Sequence, residues 1–266
     1  MGDDRVIEEI VTQFLINTCQ LRPQLTQAAL EAALHCVTTA TQQHLVEADV
    51  VRIPQTTGSA AEFYIEPMLP HIGDVDVMYH WSTELAIPQG HPPPTQLPDE
   101  FHNYVGVVEI IDSHLPGYVY LELRYLLTEC VDDDKYNAVE FDKGIYAMNL
   151  LSKYPTSSHG PALLTKRSET FLSVDSVSCT HCLSWPPQAS RWPTRHRDYD
   201  WPDSTTVDRV VRNGCDVVGV AHRQCRQDEW MSNAQCRLSF SRAEIVLINS
   251  WMPVQQIVYH ICYEFS

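Results

Sequence analysis

The period of apolar and polar positions changes several times along the chain, and each change marks an element. Val6, Ile7, Ile10, Val11, Phe14 and Leu15 recur at helical spacing, and Leu25, Ala28, Ala29, Ala32 and Leu34 continue the stripe. Residues 3 to about 48 therefore read as helix, with Pro23 in a first turn. Residues 45–53 are more extended, and Thr56-Thr57-Gly58-Ser59 is a turn into a short helix starting near Ala60. Gly73 to Tyr79 alternates acid with apolar residues and reads as a strand, and the proline-rich stretch from Gln89 to Pro98 is a loop. Tyr104 to Ile111 and Tyr118 to Leu127 form a hairpin across residues 112–117. Asp132, Asp133 and Asp134 open a further turn, Glu169 to Val177 is a strand, and a Trp/Pro-rich irregular stretch runs from Trp185 to Pro202. Val207 to Arg212 is a short helix, and from Ser241 the pattern is helical again through Ala243, Ile245, Val246 and Ile248.

Composition narrows the classes. With 266 residues, 44% of them hydrophobic, the chain can bury a sizeable core, which excludes global disorder. The net charge of -16 and a lysine content of only Lys135, Lys143, Lys153 and Lys166 argue against a broad nucleic-acid surface. A local basic patch remains around Arg191, Arg195, His196 and Arg197. Nine irregularly spaced cysteines read as reduced thiols. No run approaches the ~20 apolar residues of a membrane span. The acidic start, Met1-Gly2-Asp3-Asp4, lacks the basic region of a signal peptide, so the expected location is cytoplasmic.

The chemistry suggested by the residues themselves centres on Gly58-Ser59 and Asp74-Val75-Asp76. A Gly-Ser turn at a helix start offers backbone N–H groups and a hydroxyl to phosphates, although an ordinary helix N-cap has the same appearance. Carboxylates at i and i+2 of a strand share one face and suit a hard divalent cation, although a solvated edge strand carries the same pattern. Cys179, His181 and Cys182 have metal-like spacing that His222 and Cys225 complete only imperfectly, and buried reduced thiols are the competing account. Glu109 and Glu122 sit in apolar strand patterns, where outward-facing carboxylates are the commoner case.

Three stretches together resemble the cyclic GMP-AMP synthase and Mab-twenty-one (male-abnormal) family of nucleotidyltransferases. They are Gly58-Ser59-Ala60-Ala61-Glu62-Phe63 leading to Gly73-Asp74-Val75-Asp76-Val77-Met78; Ser173-Val174-Asp175-Ser176-Val177 with Ser184-Trp185-Pro186-Pro187; and Cys236-Arg237-Leu238-Ser239-Phe240-Ser241-Arg242-Ala243-Glu244 running on through Asn249-Ser250-Trp251 to His260. The resemblance implies an α/β nucleotidyltransferase fold with a long N-terminal helix, a mixed central sheet and the start of a truncated C-terminal helical lobe. Residues 1–235 would be the core lobe and 236–266 the opening of the second.

It further implies Asp74, Asp76 and Asp175 as catalytic carboxylates holding Mg²⁺ or Mn²⁺, Gly58 and Ser59 on the triphosphate, and Arg237, Ser239 and Ser241 on the bases. For Arg237 and Ser241 a surface ion pair and a helix cap with Glu244 are the plainer alternatives. The implied activity is synthesis of a cyclic dinucleotide from ATP and GTP in innate immunity. Double-stranded RNA or another foreign ligand would be the activator, and the zinc insertion that grips DNA is not recognisable. A Mab-type protein that binds nucleotide or protein without turnover, or a shortened isoform, is the other expectation.

Overall fold

The computed structural model describes residues 50–58, 61, 74–130, 132–145, 158–159, 162–165, 173–197, 201–220, 235–252 and 255, with positions 6, 9, 10 and 13 of the N-terminal segment. The expected long N-terminal helix thus lies outside the described residues, apart from helical backbone at Val6, Glu9, Ile10 and Gln13. Gly58 and Ala61 are helical too, while Ser59 and Ala60 between them are not described.

The protein is a mixed α/β chain dominated by one sheet of eleven strands. In chain order these are β1 (Arg52–Thr57), β2 (Asp74–Trp81), β3 (Glu84–Pro88), β4 (Tyr104–Asp112), β5 (Tyr118–Cys130), β6 (Lys135–Ile145), β7 (Ser158–His159), β8 (Ala162–Thr165), β9 (Ser173–Cys182), β10 (Cys215–Gly219) and β11 (Cys236–Ser239). The helices are α1 (Ser204–Arg212) and α2 (Ser241–Asn249).

β9 organises the sheet. One edge pairs in parallel with β2 and then, through Cys182 and Ala86, with β3; the other pairs antiparallel with β8 and then β10. From β10 the order runs through β11, β5 and β4 to β3, which is back beside β9, so six strands close on themselves. Side chains of Ala86, Val108, Ile110, Val119, Leu121, Cys182, Cys215, Val217 and Cys236 fill the enclosed space. Because strand side chains alternate, the residues between these on β9, β10 and β11 face the other way, on the surface shared with β2.

The hairpin expected at 104–127 forms, with β4 and β5 in antiparallel register. Its two runs are rich in β-branched, aromatic and aliphatic residues on either side of a turn, which is why it was legible. Asp132, Asp133 and Asp134 form the exposed turn into β6, a strand the sequence pattern did not reveal. The strand expected at Glu169–Val177 is described from Ser173 and runs on to Cys182, residues 169–172 lying outside the described residues. That extension separates the spaced thiols: Cys179 packs with Met78 and Val218, whereas Cys182 points into the enclosed core. A strand cannot turn residues i and i+3 to one side, so the Cys-x-x-Cys spacing is not a metal pair.

β10 and β11 were also missed, being only five and four residues long, with β10 buried throughout and β11 exposed only at Arg237. β11, with which the second lobe was expected to open, completes the sheet between β10 and β5. Around it, Trp185, Trp192, Phe240 and Leu247 pack on Val210, Ala243 and Val246, fastening the Trp/Pro stretch to both helices. Glu109 is buried, contrary to the outward-facing expectation. It accepts a hydrogen bond from the Gly90 backbone at 3.2 Å and lies 3.6 Å from the Arg124 guanidinium.

Gly214, at φ +64°, makes the turn from α1 into β10, where a Cβ would collide with the Cys182 carbonyl. Gly117 has φ +80° with open space around it. Gly117→Ala should cost about 1–2 kcal/mol from left-handed strain alone, and Gly214→Ala distinctly more. Urea unfolding of the two variants checks this; equal losses would refute the close approach.

Candidate functional site

The parallel register of β2 and β9 sets Asp76 directly opposite Asp175. Paired residues of parallel strands share a face, so the two carboxylates adjoin on the surface away from the enclosed core. Asp74 stands at the first position of β2, opposite Ser173; its side chain lies outside the described residues, as does Ser59. Gly58 follows β1, whose last residue, Thr57, pairs with Asp76. Its φ of +61° belongs to the left-handed region, and a Cβ there would meet the Asp76 carboxylate. Only glycine lets the turn lie this close to the acid.

One oxygen of Asp175, Oδ1, is buried and has no hydrogen-bond partner among the described residues. A buried carboxylate oxygen without a donor is costly unless a cation or a ligand's proton meets it. The orphaned oxygen and the glycine cradle thus suit a hard divalent cation with a phosphate beside it. No group of three or more His, Cys, Asp or Glu side chains is arranged to hold a metal ion among the described residues, the third expected acid, Asp74, having no described side chain.

The same face carries the other candidates. Met78, Cys179 and Val218 form an apolar floor beyond the carboxylates. Ser239 on β11 donates from Oγ to Met78 Sδ at 3.8 Å, so this face curls until β11 approaches β2. Ser239 Oγ lies 3.2 Å from Ser241 Oγ. Ser241 makes no cap for α2: Phe240 occupies the N-cap position, without a side-chain capping hydrogen bond. The expected capping box with Glu244 is therefore absent, which leaves the Ser241 hydroxyl to Ser239. Arg237 is exposed, its guanidinium 5.6 Å from the Tyr118 ring centre, and does not form an ion pair among the described residues. In the basic patch, Arg197 is spent locally, donating to the carbonyl oxygens of Trp192, Pro193 and Arg195.

Beside the site lies a buried polar cluster that the sequence reading passed over. Asp216 on β10 is 1% exposed; Oδ2 accepts from Arg242 Nε at 2.8 Å and Oδ1 from His181 Nδ1 at 3.0 Å. Both neighbours of His181 Nδ1, this carboxylate and the Cys215 carbonyl, are acceptors, so that nitrogen carries the hydrogen. Burial pushes the Asp216 pKa up, but the bond from His181 and the Arg242 charge outweigh it and hold the carboxyl below its usual range. The His80 ring lies 5.2 Å from that of His181, and its Nδ1 is buried without a hydrogen-bond partner among the described residues. Burial, then electrostatic repulsion from the neighbouring His181 and Arg242, lower its pKa to about 4. Burial also raises the Cys179 thiol and pushes Cys236 up to about 12, so neither supplies a thiolate at neutral pH. The signal that would have exposed this cluster was an aspartate inside an otherwise apolar Cys-Asp-Val-Val run.

Residues 122–250 match the family model of the Mab-21 protein nucleotidyltransferase domain. The matched span takes in Asp175, Arg237, Ser239 and Ser241 and begins downstream of Gly58, Asp74 and Asp76. No curated protein matches the chain. No helix among the described residues is long and apolar enough to cross a membrane.

An unfolded histidine protonates near 6.5, whereas folded His80 stays neutral to about 4. The folded value is depressed, so this contribution is complete above the unfolded value and is lost as pH falls from about 6.5 towards 4. It amounts to roughly 3 kcal/mol. Urea midpoints across that window should decline for the native chain and flatten in His80→Phe; parallel declines would refute the assignment.

Proposed function

We propose that this chain, which carries a Mab-21 nucleotidyltransferase domain over residues 122–250, is a metal-dependent nucleotidyltransferase that joins ATP and GTP into a cyclic dinucleotide. The observation that carries the reading is the pairing of Asp76 with Asp175, one oxygen of which is buried and unpartnered, under the close turn at Gly58. Asp74, Asp76 and Asp175 would hold Mg²⁺ or Mn²⁺. Such ions neutralise the attacking oxygen and the departing pyrophosphate when bound.

The rest of the work belongs to the chain. Gly58 and Ser59 receive the triphosphate on backbone N–H groups and a hydroxyl. Arg237, stacked beside Tyr118, presents a planar guanidinium to a base, and Ser239 and Ser241 add hydroxyls on the same side. So held, a ribose hydroxyl oxygen of one nucleotide bonds to the α-phosphorus of the other. The bond to pyrophosphate breaks, and the hydroxyl proton leaves to solvent; a second round closes the ring. Positioning and charge neutralisation supply most of the acceleration.

Residues 1–235 would form the core lobe, and 236–266 would open a helical one from β11. A cytoplasmic role in innate immunity fits this chemistry. Double-stranded RNA or another foreign ligand would act as activator.

Product formation from labelled ATP and GTP with Mg²⁺ or Mn²⁺, with and without long double-stranded RNA, tests the reading. Asp76→Asn and Asp175→Asn should each lower turnover by at least ~10²-fold, as for loss of a principal electrostatic contributor. Nucleotide binding without product would instead identify a member that binds and does not turn over. Gly58→Ala should weaken Mn²⁺ binding by roughly 10–100-fold, the usual scale for disturbing the support of a ligand. Unchanged Mn²⁺ affinity in that variant would remove the Gly58 cradle from the site.

A further inference from the structure

The junction of β11 and α2 bears Arg237, Ser239 and Ser241, yet α2 begins without a side-chain cap. What holds its first turn is Arg242, one residue past Ser241, through Asp216 on the neighbouring strand. Asp216 is also the register partner of Ser239. Its second oxygen is taken by His181 of β9, so one buried carboxylate ties β9, β10 and α2 together.

We infer that Asp216 and Arg242 are positioning residues, a buried ion pair that pins the start of α2 to the sheet and so sets the Ser239 and Ser241 hydroxyls over the carboxylate strands. The lever is short. Ser239 touches Met78, which is two residues from Asp76 on the same face of β2. A shift in the first turn of α2 therefore moves both hydroxyls relative to the carboxylates. Removing one member of a buried pair strands the other charge, so the pin resists loosening in its native state. Arginine suits the pin because its Nε–H reaches the carboxylate edge at 2.8 Å, a directed geometry that lysine reproduces only in part. The inference rests on the reading that these hydroxyls contact nucleotide, and its test separates the two.

The full chain is compared with Arg242→Met and Arg242→Lys in three measurements: amide hydrogen exchange without nucleotide, Mn²⁺ affinity, and affinity for a non-hydrolysable ATP analogue with Mg²⁺. In Arg242→Met, exchange at residues 239–244 should rise by on the order of 10²-fold while amides of β4 and β5 keep their protection. Analogue affinity should fall about tenfold with Mn²⁺ affinity unchanged, and Arg242→Lys should recover part of both losses. Unchanged exchange at residues 239–244 would overturn the pin. So would a parallel fall of exchange protection and Mn²⁺ affinity throughout the sheet, which would make the pair a stabiliser only. If Arg242→Met does not fold, exchange in Arg242→Lys decides in the same terms. A native chain that binds no analogue would defeat the nucleotide reading while the exchange data still decide the pin.

Discussion

The parallel pairing of β2 with β9 is the constraint on which the rest of this structure depends. It puts Asp76 beside Asp175, and it puts Met78 beside Val177 and His80 beside Cys179. Side-chain direction in a strand has a period of two residues. A slip of one residue would therefore turn β9's acid towards the enclosed core and its core residues towards the cleft face. The register is fixed at the far end by Cys182, which pairs with Ala86 on one edge and Cys215 on the other inside the closed ring. The apolar core thus sets the spacing of the acids without touching them.

The cost of this arrangement is concentrated on one face, where ionisable groups are buried in three places among the described residues. Asp175 keeps an oxygen without a partner, His80 keeps a ring nitrogen without one, and Asp216 is satisfied from both sides. The two orphans differ in what they ask for. A carboxylate oxygen wants a cation or a proton donor. A histidine held neutral by burial and by its neighbours His181 and Arg242 simply remains uncharged. The first points to a ligand, and the second is a consequence of packing.

The sequence disclosed elements in proportion to their length and regularity. The β4–β5 hairpin was visible because two long runs rich in β-branched, aromatic and aliphatic residues flank a turn ending in Gly117. β2 was visible because its acids interrupt an apolar pattern at every second residue. β10 and β11 were not, since a strand of four or five residues buried by neighbours on both edges has no room to show a period. The candidate acids were legible as residue types, but their adjacency was not, because Asp76 and Asp175 lie about a hundred residues apart and meet only through register. Glu109 and Ser241 misled for a related reason: each fitted a local rule that tertiary contacts overrode.

The site also divides along the chain in a way that bears on how it is built. Asp175 and the β11–α2 junction belong to the matched Mab-21 span, whereas Gly58 and Asp76 precede it. The two parts join where β4 pairs with β5 and where β2 and β3 pair with β9. A carboxylate pair assembled across such a joint exists only when the long-range pairing is complete, because neither strand holds both acids. Asp216 extends the same logic to the other side of β9. It gathers β9, β10 and α2 onto one carboxylate, so the acids and the hydroxyl-bearing junction are referred to a common strand. Whatever displaces β9 moves both halves of the candidate site together, and whatever loosens Arg242 moves only one.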